Sequence, residues 1–142
     1  MQRTATAKWT GDLRAGAGNI RLGSGAFEGP YSFGTRFEDK PGANPEELLG
    51  AAHAACFSMA LSSALAKAGH KPRSVETKAT VHLDKVGEGF GITRIDLSTR
   101  GEVPGLSEAE FTRLAEDTKA NCIVSKALAA VPMGLKVEFS GA

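Results

Sequence analysis

The sequence predicts an α+β fold with antiparallel sheets packed around one long central helix. Three observations support this: short strands punctuated by glycines before residue 40, a helical segment of about 24 residues after it, and an alternating hairpin beyond Ser74. Because strands and helices fall in separate blocks, antiparallel pairing is favoured over a parallel sheet of alternating strands and helices. The 142 residues contain no internal repeat and no long linker, so we expect a single domain, residues 1–142.

The N-terminal third is predicted to be a small β-meander. A strand is expected over residues 2–9, and turns and short strands follow between Asp12 and Phe37, where glycines recur every few residues. The glycines at 16 and 18 do not complete the GxGxxG spacing, and the GK[ST] sequence is missing. A phosphate-binding loop is therefore disfavoured.

The long helix has clear start and stop signals. Asn44 is suited to the N-cap, Pro45 to the first helical position, and Glu47 to the third position of a capping box. We expect the helix to run to about Ala68 and to stop at Gly69. Its apolar residues spread over several faces, which is typical of a buried helix. The other predicted elements are a strand over Ser74–Leu83, a turn at Gly87–Gly89, a strand containing Ile92 and Leu97, a helix capped by Ser107, a short helix capped by Asn121 and reaching about Ala130, and a strand over Leu135–Phe139.

Composition and charge exclude several classes of protein. The formal net charge of +1 disfavours a basic nucleic-acid-binding surface. We see no stretch that approaches the ~20 uncharged apolar residues of a membrane span, and no signal peptide, so we expect a cytoplasmic protein without membrane contact. Small residues dominate, with 22 Ala and 17 Gly, and a monomer would be thinly packed. An oligomer is expected.

Cys56 and Cys122 are the candidate reactive groups. In a reducing compartment a permanent disulfide between them is disfavoured, and a redox-active pair becomes an alternative to two buried, inert thiols. If Asn121 caps a helix, Cys122 lies in its first turn, where the dipole favours a thiolate, whereas Cys56 lies in mid-helix and needs a nearby cation. A zinc site of His53, Cys56 and Cys122 is a further alternative; it is disfavoured because no CxxC, HxxH or HExxH motif is present.

Three stretches together resemble a known family. They are Thr35-Arg36-Phe37-Glu38, the segment from Asn44 to Met59 with its Gly-Ala-Ala-His-Ala-Ala-Cys core, and Asn121-Cys122-Ile-Val-Ser-Lys126. The sequence resembles the OsmC/Ohr family, most closely its OsmC branch, over essentially the whole chain. Ile123 departs from the pattern, since many members carry Pro after the second cysteine.

The resemblance implies an activity and a site. Members are intertwined homodimers that act as thiol-dependent peroxidases on organic hydroperoxides and, in the OsmC branch, on hydrogen peroxide. It further implies that Cys56 is the peroxidatic cysteine, Cys122 the resolving cysteine, Arg36 the activator of the thiolate and Glu46 the partner of Arg36. No cofactor or metal is implied, and the reductant is a dithiol, such as a lipoyl-bearing protein. Two other classes stay open: a redox sensor or small-ligand binding protein using the same thiols, and a structural dimer with inert cysteines.

Helix geometry raises a question about this set of residues. In a straight helix, Glu46 and Cys56 lie about 15 Å apart along the axis and point about 80° apart. An Arg36 that contacts both within one subunit is then strained. Either the first turn breaks from the helix near Gly50, or Arg36 and Glu46 reach the Cys56 of a partner subunit, which we favour because the small residues suit close packing.

Overall fold

A computed structural model describes all residues, 1–142, in two compact units, residues 1–48 and residues 49–142. The first unit contains the predicted meander. Strands β1 (Ala5–Thr10), β2 (Ala17–Leu22) and β3 (Glu28–Tyr31) pair antiparallel in the order β1-β2-β3. The Trp9 and Tyr31 rings lie 5.3 Å apart on this sheet. A Cβ at Gly18 would collide with both rings, so glycine is required there for the aromatic contact to form.

A short helix, α1 (Phe33–Phe37), follows the meander where the sequence predicted only strands and turns. It forms because Ser32 and Thr35 make a reciprocal capping box: Thr35 N donates to Ser32 Oγ, and Ser32 N donates to Thr35 Oγ1. A five-residue helix has no apolar periodicity to read, which is why the sequence pattern missed it.

The long helix, α2, spans Pro45–Lys67, and its start at Asn44 and Pro45 and its stop at Gly69 are as predicted. The capping box predicted with Glu47 is not formed, since Glu47 contributes only its backbone N to the cap. Glu47 N donates to Asn44 Oδ1 at 2.8 Å, as an N-cap requires. Gly69 ends the helix with φ of +89°, a conformation that glycine adopts without steric cost.

By length and composition α2 is apolar enough to cross a membrane, so the prediction that no segment approaches a membrane span was wrong. The core helix of a soluble protein passes the same test when most of it is buried. Here 28% of the apolar stretch is buried, including Phe57, Leu61 and Leu65 on one face of α2, so the helix is not buried on all sides as its apolar residues predicted.

The second unit holds a sheet of β4 (Ser74–Val86), β5 (Gly89–Glu102) and β6 (Met133–Ser140), in that order. Strands β4 and β5 form the predicted antiparallel hairpin, with an irregularity between His82 and Leu83. Strand β6 pairs with β5 in parallel, so the prediction of antiparallel sheets fails at this pairing. The reason is the connection: α3 (Glu108–Asn121) and α4 (Ile123–Ala127) carry the chain back before β6 begins, as a parallel crossover requires.

The core of the second unit forms between α2, β5 and α3. Its fully buried large side chains come from all three elements and include Phe57, Leu61 and Leu65 of α2, Ile95 and Leu97 of β5, and Phe111 of α3. Burying each such side chain contributes about 1.5–3 kcal/mol to folding. This core therefore fixes the position of α2 from Leu49 onward against the sheet of its own unit.

Candidate active site

Arg36 and Glu46 form an ion pair in the first unit. Arg36 Nε and Nη2 both donate to Glu46 Oε1, at 3.2 and 2.9 Å. The Glu46 side chain is 9% exposed and that of Arg36 38%, so the pair is shielded on its carboxylate side. Arg36 therefore pairs with Glu46 and not with Glu38 or Asp39, the carboxylates that lie closer to it in the sequence. Two charge-assisted bonds to one oxygen hold the guanidinium in a defined orientation.

Local hydrogen bonds fix both elements that carry this pair. Arg36 lies in the last turn of α1, which the capping box of Ser32 holds, and Glu46 lies in the first turn of α2. Asn44 Nδ2 donates to Thr35 O at 3.1 Å and so ties the start of α2 to α1. Glu46 Oε2 is buried and has no hydrogen-bond partner, which leaves the carboxylate with one unused acceptor.

An apolar cavity of about 360 Å³ adjoins Arg36 in the same unit. Four aromatic rings line it, and Arg36 is its one charged lining residue. The guanidinium carbon of Arg36 also lies 5.1 Å from the centre of the Phe37 ring. The residues that line the cavity are Trp9, Gly11, Leu13, Tyr31, Ser32, Phe33, Arg36 and Phe37. A cavity with this lining suits a molecule with an apolar body and one polar group that accepts hydrogen bonds.

The two cysteines belong to one hydrophobic cluster in the second unit. Both are free thiols. Cys122 is 3% exposed and part of the buried cluster, and Cys56, on α2, is half-buried and packs against that cluster. Cys56 is thus the more accessible of the two thiols.

Cys122 does not occupy the position that the sequence predicted. Asn121 is the last residue of α3 rather than the cap of the next helix, and its Nδ2 donates to Asp117 O. Cys122 itself, with an extended backbone, is the N-cap of α4, and Ser125 N donates to Cys122 Sγ at 3.3 Å. The difference arises because α3 continues through Asn121, so the break between the two helices falls on the cysteine.

His53 and Ser125 extend the surroundings of Cys122. His53 is completely buried on α2, and its Nε2 lies 2.8 Å from Ser125 Oγ. Burial lowers the pKa of His53 below its ordinary value of 6.5, because the charged imidazolium is poorly solvated there. Ser125 Oγ in turn lies 3.2 Å from Cys122 Sγ. Sequence reasoning considered His53 only as a metal ligand and overlooked Ser125, although Ser125 is three residues after Cys122, the spacing of a cap and its partner.

Of the four predicted site residues, the structure joins Arg36 and Glu46 in an ion pair in the first unit. Cys122 is part of the hydrophobic core of the second unit, and Cys56 packs against that core. No group of three or more His, Cys, Asp or Glu side chains is placed to hold a metal ion, so the zinc alternative gains no support from the geometry.

Comparisons with known proteins identify the family of this chain. The family model described as OsmC-like protein matches residues 37–136. The chain is 48% identical over 131 residues to "Peroxiredoxin OsmC" of Escherichia coli, with 92% of each chain covered. It is 34% identical over 87 residues to "Organic hydroperoxide resistance protein" of Xanthomonas axonopodis, covering 61% of this chain and 59% of that protein.

Solved structures show the same fold. The crystal structure of an organic hydroperoxide resistance protein from Elizabethkingia anophelis superposes with a TM-score of 0.70 at 24% identity, covering 99% of both chains. An OsmC-like protein of unknown function from Vibrio cholerae gives a TM-score of 0.72 at 18% identity, again over 99% of both chains. With the family model matching most of its length and a relative 48% identical over 92% of both chains, this protein belongs to the OsmC-like family.

Proposed function

We propose that this protein is a thiol-dependent peroxidase that reduces organic hydroperoxides, and hydrogen peroxide, through Cys56 and Cys122. The observation that carries the proposal is that these two free thiols share one hydrophobic cluster, with the more accessible thiol on the long helix. The names of the relatives, a peroxiredoxin and an organic hydroperoxide resistance protein, support a peroxidase-type role.

In the first step the Cys56 thiolate attacks the distal oxygen of the peroxide. A sulfur–oxygen bond forms, the O–O bond breaks, and the leaving alkoxide takes up a proton to become an alcohol, which leaves Cys56 as a sulfenic acid. Arg36 has the properties that this step needs: a permanent positive charge that favours the thiolate, and a fork of donors for the peroxide oxygens. Glu46 holds that fork in one orientation through the two bonds to its Oε1.

The cavity beside Arg36 supports an organic substrate. Its aromatic walls favour an alkyl or aryl group, while its one charged side chain is positioned for the polar end of the same molecule. Hydrogen peroxide has no apolar body to bury, so we expect it to be the poorer substrate.

In the second step the Cys122 thiol condenses with the sulfenic acid. The S–S bond forms and the thiol hydrogen leaves with the sulfenic hydroxyl as water, which protects Cys56 from irreversible oxidation. A dithiol reductant, of the lipoyl or small-molecule type, then opens the disulfide by exchange. A reducing compartment such as the cytoplasm supplies such dithiols.

We further propose that the functional protein is a homodimer. On α2 the small residues Ala51, Ala52 and Ala55 are exposed, and Met59 nearby is 75% exposed. A second copy that covers this apolar face would remove it from water. In such a dimer, Arg36 and Glu46 of one subunit act on the Cys56 of the other.

Multiple-turnover kinetics test the proposed function. Cumene hydroperoxide and hydrogen peroxide are each supplied to the purified protein with excess dihydrolipoamide, and peroxide loss is followed; Cys56→Ser is the control. We expect many turnovers for the wild-type chain, a faster rate with cumene hydroperoxide, and none for the variant. Slow oxidation that stops after one equivalent would indicate a redox sensor, and unreactive thiols a structural dimer.

A further inference from the structure

A buried chain of hydrogen bonds ends on the second cysteine, and none of the chemistry above uses it. Two atoms of Ser125 lie close to Cys122 Sγ: its backbone N at 3.3 Å and its Oγ at 3.2 Å. Ser125 Oγ lies 2.8 Å from Nε2 of His53, a residue 72 positions earlier on α2. Cys122 and Ser125 are each 3% exposed and His53 is 0% exposed, so these hydrogen bonds are shielded from water.

The unpartnered nitrogen of His53 indicates which atoms donate in this series of hydrogen bonds. His53 Nδ1 is buried without a hydrogen-bond partner. An unpaired N–H is tolerated less often in protein interiors than an unpaired acceptor, which favours the neutral tautomer with its proton on Nε2. That proton then points at Ser125 Oγ. While Cys122 is a thiol, its Sγ donates to Ser125 Oγ at 3.2 Å, and once the thiol is ionised the Ser125 hydroxyl hydrogen is free to point at Sγ.

We propose that His53 and Ser125 are positioning residues for the resolving cysteine: His53 orients the Ser125 hydroxyl, which with the Ser125 N–H donates to the Cys122 thiolate. Two donors stabilise the sulfur in the charged form that attacks, and they hold it in place. The inference rests on the proposed function, because it assigns these residues to its second step. In that step Cys122 sulfur bonds to Cys56 sulfur, the sulfenic S–O bond breaks, and the departing hydroxide takes a proton equivalent to the one that the thiol released.

The lowered pKa of His53 agrees with an orienting role rather than a basic one. A buried imidazole that resists protonation is a poor proton acceptor but a good fixed donor. The proposal therefore distinguishes two substitutions of His53. Gln retains an amide N–H near the position of Nε2, whereas Leu fills similar space and donates nothing.

The first test measures Cys122 alone and needs no peroxide. In a Cys56→Ser chain, the ultraviolet absorbance of the Cys122 thiolate is measured as a function of pH. The same measurement is made on this chain with a second substitution, either Ser125→Ala or, as the matched control, Thr118→Val. Thr118 is also a buried hydroxyl, 5% exposed, but it donates to Leu114 O instead of a cysteine. We expect Ser125→Ala to lower the thiolate fraction about tenfold at a given pH below the midpoint, as loss of one bond to a charged group implies, and Thr118→Val to leave it unchanged. Equal titrations for the two variants would overturn the proposal.

The second test measures the resolving step in the two-cysteine chain. After one equivalent of cumene hydroperoxide, disulfide formation competes with trapping of the sulfenic acid by dimedone. We expect Ser125→Ala and His53→Leu to slow disulfide formation about tenfold, while His53→Gln stays within about twofold of wild type because its amide still donates. If His53→Gln is as slow as His53→Leu, the orienting role is refuted. A wild-type chain that reduces no peroxide refutes the proposed function, whereas the Cys122 titration still decides the present inference.

Discussion

Replacing Glu46 with Gln tests whether the ion pair orients Arg36. The substitution keeps the shape and one acceptor oxygen but removes the charge from the two bonds that Oε1 accepts. A hydrogen bond to a charged group contributes about 1.5–3 kcal/mol. Because Arg36 is 38% exposed, solvent screening reduces the loss, and we expect about 1–2 kcal/mol of folding stability for the pair as a whole.

Glu47→Gln is the matched control for this substitution. Glu47 is the next residue in the same first turn of α2, is exposed, and takes part in the cap only through its backbone N. Both variants lose one negative charge at the helix N-terminus, so the dipole contribution cancels in the comparison. The remaining difference between the variants reports the pair with Arg36.

Two measurements check the expectation at one fixed protein concentration, since dimerisation would otherwise alter the apparent stability. Thermal unfolding should show Glu46→Gln melting about 2–8 °C below Glu47→Gln. Stopped-flow kinetics of the first turnover with cumene hydroperoxide should show a rate constant about tenfold lower, which corresponds to about 1.4 kcal/mol of transition-state stabilisation. If the two variants unfold and react alike, the pair neither holds Arg36 nor contributes to the reaction.

Four further predictions follow from the site. Cys56→Ser should abolish peroxide consumption, whereas Cys122→Ser should complete one turnover and accumulate oxidised Cys56, which mass spectrometry detects. A Cys56→Ser chain that still completes a first turnover would reverse the roles of the two cysteines. Arg36→Lys keeps the positive charge but loses the planar set of guanidinium donors. The fold-decrease in its rate of reaction with peroxide should therefore exceed the fold-decrease in the Cys56 thiolate fraction, measured by alkylation. A purified heterodimer of an Arg36→Ala chain and a Cys56→Ser chain should have one active site, because the intact Cys56 of the first chain lies beside the intact Arg36 of the second. An inactive heterodimer would show that each site forms within a single chain. Burial lowers the pKa of folded His53 below its ordinary value of 6.5, so on acidification the unfolded chain binds a proton at His53 before the folded chain does. The free energy of unfolding should therefore decrease below about pH 6.5. Denaturant titrations at several pH values should show that His53→Gln lacks this part of the decrease.

Local sequence signals were sufficient where one segment determines its own structure. Asn44, Pro45 and Gly69 set the ends of α2, and the alternation after Ser74 gave the hairpin, because caps, turns and strand periodicity act between residues that are close in the chain. The resemblance to the OsmC/Ohr family came from motifs of the same local kind, and the family model confirms it. The roles assigned to the four site residues stay predictions.

Contacts between distant residues were decided only by the tertiary structure. The parallel pairing of β6 depends on where α3 and α4 return the chain, and no property of residues 133–140 alone specifies it. The change of Cys122 from first-turn residue to N-cap depends on α3 extending through Asn121. His53 and Ser125 meet across 72 residues because α2 and α4 pack on the same core. A hydrogen bond of this kind forms where burial brings two polar groups together and removes water, and that is a property of the packed core rather than of either local sequence.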